Sequence, residues 1–197
     1  MAVFLQATTE LEAVNSMLRA IGSSPVSTLE DNGVVDAVMA LQTLRDVSRD
    51  VQSQGWHFNT ETNYPIAPTY PLPGELVLPA NCLRVDPCDL WTDLVQRGTR
   101  LYDPVNHTYT FDSPVKMDMV VLLGFEELPQ YARRYITIKA ARIFQMSVVG
   151  SDTLDQGLAK EELKAHAAFR AAEAENADYN MLTGSYSVLR VLDREGY

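Results

Sequence analysis

Cysteine is scarce in this chain: Cys82 and Cys88 are the only two in 197 residues, and no Cys-x-x-Cys or His-x-x-x-His spacing accompanies them. A disulfide framework and a zinc-finger pattern are therefore not indicated, and the expectation is a pair of reduced, structural thiols. Histidine is equally rare. His57, His107 and His166 stand apart, none in a metal-ligand spacing and none behind a G-x-S-x-G elbow, which gives metal and nucleophilic catalysis no local support. No G-x-G-x-x-G or G-x-x-x-x-G-K-[ST] loop is present to cradle a phosphate. Long apolar runs are missing too, and MAVFLQATTELEAV lacks the basic start and cleavage site of a signal peptide, so the expectation is a soluble protein made in a cytoplasm, with no membrane partner. Positive charge is in deficit, with 16 bases against 26 acids and a net charge of −10. Such a balance argues against a conventional nucleic-acid binder, although an acidic wall would keep a passing phosphate backbone from sticking.

What is present is helical periodicity at both ends. Thr9 followed by Glu12 forms a capping-box pattern, and Leu11, Val14, Leu18 and Ile21 mark a first helix stopped by Gly22 and Pro25. A second helix is expected from Gly33 to Gln54, ended by Gly55. Its Val34, Val38, Leu41, Leu44, Val47 and Val51 spread over a wide arc, which suggests contact on two sides. A third opens at Glu126-Glu127-Leu128-Pro129 and is apolar nearly all round apart from Arg133, Arg134, Lys139 and Arg142. A fourth, capped by Ser151 or Asp152, aligns Leu154, Leu158, Ala165, Phe169 and Ala172. Periodicity ends at Tyr179, and the residues to Tyr197 read as an arm.

The middle differs in kind, because eight of the ten prolines fall between Pro65 and Pro114. Short β-branched or aromatic segments there, at 75–79, 90–95, 107–111 and 117–123, predict strands bounded by turn residues. The fold class expected is α+β: an antiparallel four-helix bundle from both chain ends (1–57 and 124–178), an antiparallel β-rich insertion (58–123) and a C-terminal arm (179–197).

Candidate sites are weighed against plain structural roles. "QSQGWHFNTE" (52–61) reads as a junction, where Gly55 ends the helix and Trp56 and Phe58, alternating around His57, face the seam between helices and sheet. Tyr64, Tyr70, Tyr102 and Tyr109, with His107, suit a recognition face as well as they suit sheet packing. Paired carboxylates such as Glu126-Glu127 are explained by the helix start, and glycan hydrolysis stands as a weaker alternative. Residues 126–148 hold four bases and two acids while 152–178 hold seven acids and three bases, a segregation that would suit subunit pairing. No catalytic, cofactor or metal residues are assigned.

Four stretches together carry a resemblance: "MLRAIGSSPVSTLED" (17–31), "VQSQGWHFNTE" (51–61), "LPANCLRVDP" (78–87) and "YNMLTG" (179–184). In order, spacing and total length they resemble tail tubular protein A of short-tailed podoviruses, the head-to-tail adaptor or gatekeeper ring protein. The resemblance implies a structural virion protein, not an enzyme, with no cofactor. It further implies a homo-oligomeric, dodecameric ring in the viral tail, between the portal protein and the nozzle protein (tail tubular protein B). The ring would also contact the tail fibre and pass DNA through its channel without specific binding. On this basis Val47, Val51, Arg133, Arg134 and Arg142 are candidate subunit contacts. Tyr179, Met181, Leu182, Tyr186 and Leu189 are candidates for portal contact, and Tyr64, Tyr70, Tyr102, His107 and Tyr109 for a nozzle or fibre face. A fibre- or host-binding module acting alone is the other reading. Assembly in the host cytoplasm is expected.

Overall fold

The computed structural model describes residues 7–30, 33–89 and 92–176. Helix α1 (Glu10–Ala20) starts on the capping box anticipated from Thr9 and Glu12: Thr9 Oγ1 accepts from the Glu12 amide at 3.2 Å, and Glu12 Oε2 accepts from the Thr9 amide at 2.9 Å. Its Ala13, Val14, Met17 and Leu18 are buried. The connection is pinned by the Asn15 side chain, which donates to the Val26 carbonyl and accepts from its amide. Helix α2 (Val35–Gln52) returns antiparallel, bringing Arg45 to Glu10 at 3.1 Å.

Helix α3 (Gln130–Val148) begins later than its acidic prelude suggests. Phe125–Glu127 form a separate 3-10 turn, and Pro129 occupies the N-cap. It runs alongside α1, with Gln130 bonded to Thr8, and α4 (Asp152–Asn176) folds back along it. The α3 helix packs against α1, α2 and α4, which explains an apolar circumference without invoking any other chain. The α4 helix packs on α3 and on the 3-10 turn His57–Asn59, with no comparable packing on α1 or α2. The helices share one core, which α4 joins through Ala165 and Phe169, as a rib laid on the central helix.

Among the described residues seven strands lie between α2 and α3: β1 (Thr60–Ile66), β2 (Gly74–Glu75), β3 (Cys82–Pro87), β4 (Val95–Arg97), β5 (Arg100–Tyr102), β6 (Thr110–Phe111) and β7 (Val115–Val121). The main sheet is antiparallel in the order β1-β7-β3; β2–β6 and β4–β5 form two small ladders. In β7, Met117 and Met119 are buried between exposed Lys116 and Asp118, the alternation of a strand with one covered face. Two strands depart from expectation. β1, "TETNYPI", is exposed along most of its length, and β3, "CLRVDP", has no fully buried residue. Both are edges of the sheet, which is also where Pro65 and Pro87 are tolerated. A bulge between Glu61 and Tyr64 places Asn63 at φ 56°, and its amide donates to Asp118. The segment 75–79 contributes Leu76 and Leu78 to the interior but is strand only at Glu75, and 107–111 only at its last two residues. Strand β4 starts at the end of the expected 90–95 segment, of which Leu90 and Trp91 lie outside the described residues.

There are thus two cores. One joins the helices; the other gathers Ile66, Leu76, Leu78, Leu94, Leu101 and Met117. Thr60 and its partner Val120 lie beside the helices, whereas Ile66 and Val115 close the far end of the β1–β7 ladder, so the β part projects from the helical body.

Candidate functional site

The seam between the two parts is built from buried polar groups. Gln52, fully buried on α2, accepts from the Leu123 amide at 2.8 Å and donates to the Leu123 carbonyl at 3.1 Å, fastening the strand exit to the helix end. Asn59 donates to the carbonyls of Gln52 and Val121 and accepts from the Trp56 amide. Each of these groups would be costly to bury unpaired. Sequence reasoning missed both. The available signal was Ser48 and Gln52 continuing the stripe of Ala40 and Leu44, two polar residues on an apolar face.

Trp56 and Phe58 sit at this seam, with His57 exposed, but the backbone there is a 3-10 turn instead of an extended strand. Both aromatics turn to Phe169 of α4, with ring centroids at 4.4 Å and 6.5 Å, and the indole donates to the Val51 carbonyl at 2.6 Å. Trp56 is half-buried, so its truncation costs less than that of a fully enclosed aromatic. Glu173, buried on α4, accepts from the His57 amide at 2.8 Å and from the Tyr131 hydroxyl at 2.5 Å. Burial, with the Glu173 bond added, pushes the Tyr131 hydroxyl up to about 12. Gly55 has φ +78°, and a Cβ there would lie 2.9 Å from the Arg84 guanidinium and 3.0 Å from Val120.

The candidate subunit contacts divide sharply. Val47 and Val51 are interior to the helical core. Arg133 is buried, donating to the carbonyls of Leu128, Thr8 and Glu126 and to the Glu126 carboxylate. Arg142 is held by Asp155 at 2.7 Å and Glu162 at 3.0 Å, within the same chain. Val47, Val51 and Arg133 are thus buried within the chain, and Arg142 is paired within it with 36% of its side chain accessible. Arg134 alone is exposed; it lines a groove of ≈ 620 Å³ between α1 and α3 with Arg19, Pro25 and Ile138.

Free apolar surface lies elsewhere. Val35 and Val38 at the start of α2 are 69% and 59% exposed, and Ile143, Met146, Val148, Val149 and Leu154 are exposed around the α3–α4 turn. Because α2 runs opposite to α3, both groups fall at the end of the helical body away from the sheet.

The β part carries a different surface. Tyr102 and Tyr109 meet at 4.8 Å, and Tyr102 is hydrogen-bonded through its hydroxyl to His107 Nδ1. Arg97 and Arg100, which no sequence pattern singled out, complete this cluster by stacking on the two rings at 3.6 Å and 4.8 Å. No ring contact joins Tyr64 or Tyr70 to it among the described residues, and Tyr70 stands almost wholly exposed. Tyr179, Met181, Leu182, Tyr186 and Leu189 lie outside the described residues. Both cysteines are free thiols. Burial raises the Cys82 pKa, and partial burial with a hydrogen bond to Asp118 raises that of Cys88. No group of three or more His, Cys, Asp or Glu placed to hold a metal occurs among the described residues, and no described helix is long and apolar enough to cross a membrane.

An exposed valine and methionine end, a lined groove and an arginine-tyrosine cluster lie on one framework with no metal-binding cluster among the described residues, the make-up of a structural α+β protein. Comparison with known families makes the class specific. Residues 11–179 match the family model described as tail tubular protein, and the chain belongs to that family. It is similar to tail tubular protein A of Klebsiella phage KP34, at 30% identity over 152 residues, which are 77% of this chain and 80% of the relative. The protein is a structural component of the virion tail, assembled there with other tail proteins, and not an enzyme.

Proposed function

We propose that this chain is the head-to-tail adaptor subunit, forming a dodecameric ring between the portal and the tail nozzle, through which DNA passes on ejection, and offering the fibre an attachment point. The observation that carries this reading is the contrast between the two ends of the molecule, one apolar and helical, one built from stacked arginine and tyrosine. An adaptor must present unlike surfaces to unlike partners. The subunit contacts that suit the ring are the exposed Arg134 groove and the valine-rich start of α2, since Val47, Val51, Arg133 and Arg142 are already used inside the chain. Each contact is modest alone, and closure of the ring supplies the cooperativity. The net charge of −10 suits a conduit that DNA traverses without adhering. The arm from Tyr179 onwards is assigned to the portal, and the tyrosines of the β part to nozzle and fibre.

Native mass spectrometry of the chain with and without portal protein tests this. The expected outcome is a discrete high-order ring, formed at least on the portal. A chain that stays monomeric with portal present defeats the reading and favours a binding module that acts alone.

A further inference from the structure

The arginine-tyrosine cluster holds a charge that no carboxylate neutralises among the described residues. Strands β4 and β5 are joined by Gly98-Thr99, with Gly98 at φ +63°, so Arg97 and Arg100 face each other across the ladder. Like charges directly opposite are destabilising in a hairpin, and the chain keeps both. Arg100 is relieved by Glu75 at 2.7 Å. Arg97 has no carboxylate within ion-pair distance among the described residues; its guanidinium lies 3.6 Å over the Tyr102 ring and donates to the Tyr109 hydroxyl at 3.3 Å. The rings are themselves positioned. The Asp103 carboxylate accepts from the amides of Val105 and Asn106 and from the Asn106 side chain, and the chain turns back through the Asp103–Thr108 bridge to set Tyr109 against Tyr102. Hydrogen bonding by Asn106 holds the Asp103 carboxyl below the usual range, so that carboxylate is engaged with its own loop.

We propose that this platform is a docking site for an acidic peptide segment of another protein, whose Asp or Glu carboxylate pairs with Arg97 while its backbone lies on the tyrosines. Local charge selects this occupant: Arg97, a guanidinium with no carboxylate partner among the described residues, suits a carboxylate, against the repulsion of the chain's net charge of −10. Duplex DNA would demand several free cations along its phosphates, and among the described residues of this platform one stands unpaired. Stacking has already restricted the guanidinium, so less rotamer entropy is lost when the carboxylate arrives. Tyrosine and arginine at one centre are also what binding hot spots are made of.

The test uses the full chain and fluorescence anisotropy with an aspartate-rich octapeptide, its asparagine counterpart, and a short DNA duplex as probes. The expected result is binding of the acidic peptide that weakens with salt, is lost with the asparagine peptide, and falls about tenfold in Arg97→Gln. Arg170→Gln, exposed on α4 of the helical body, should bind as the parent does. Thermal unfolding of Arg97→Gln checks that the fold survives, and Arg97→Lys, which keeps the charge and loses the planar stack, should bind at an intermediate level. Equal affinity of parent and a folded Arg97→Gln, or tighter binding of the duplex than of the acidic peptide, overturns the proposal. Neither outcome bears on ring formation, so the adaptor reading can fail or stand independently.

Discussion

The helical body and the β part solve the problem of burial in opposite ways. The helices draw on both ends of the chain and enclose a continuous core from Ala13 to Phe169, with α3 covered on three sides. The β part closes around six buried side chains among the described residues, in short ladders separated by proline-rich loops. A large core made of regular elements leaves its spare surface at an end, where Val35 and Val38 emerge; a small core leaves loops and hairpins on which arginine and tyrosine can be mounted. The difference teaches that a broad helical core and a small core with mounted surface side chains are divided here between the two parts, joined by Gln52 and Asn59.

That comparison can be broken most decisively at Phe169, which is fully buried and touches Trp56, Phe58, Tyr131 and Tyr135. Phe169→Ala should cost about 3–5 kcal/mol in chemical denaturation and free α4 from the body. Leu101→Ala, in the smaller core, should cost about 2–4 kcal/mol, with hydrogen exchange accelerated in β4, β5 and the 75–79 segment while α2 and α3 amides keep their protection. If α2 loses protection equally, the two cores are one cooperative unit and the division fails. Gly55→Ala should cost about 1–2 kcal/mol, since φ +78° is strained for alanine and Arg84 and Val120 must shift. The smallest effect is one of pH. The folded Tyr131 hydroxyl titrates at about 12 against 10.0 for the free side chain, so its contribution is present below pH 10 and is lost as pH rises towards 12. The decline of unfolding temperature across that window should be shallower in Tyr131→Phe.

The helical half was the legible half, because a 3.6-residue period repeats many times and Thr9 and Glu12 announce its start. Less legible was which apolar residues were spare. The α2 arc suggested two-sided contact around the helix, yet the surplus is distributed along it: Val47 and Val51 are covered by the chain's own helices and Val35 and Val38 are not. Composition cannot show that, since it depends on where α1 and α3 end. Strands β1 and β3 escaped notice because an edge strand need not alternate. Trp56 and Phe58 stood out by type, whereas Gln52, Asn59 and Glu173 act through long-range hydrogen bonds that no local pattern encodes. Arg97 and Arg100 were invisible for the same reason, their meaning lying in the rings the hairpin brings over them.

The antiparallel pairing of β1 with β7 has one more consequence. The chain leaves the helices at Thr60 and returns at Val120, positions that face each other across the ladder, so the whole excursion is attached by two neighbouring strand ends. Whatever is carried beyond that neck can be lengthened, shortened or exchanged without moving the ends that the helices must hold. The fold thereby has a socket: a helical body whose two attachment strands keep their places whatever length of chain is plugged in between them.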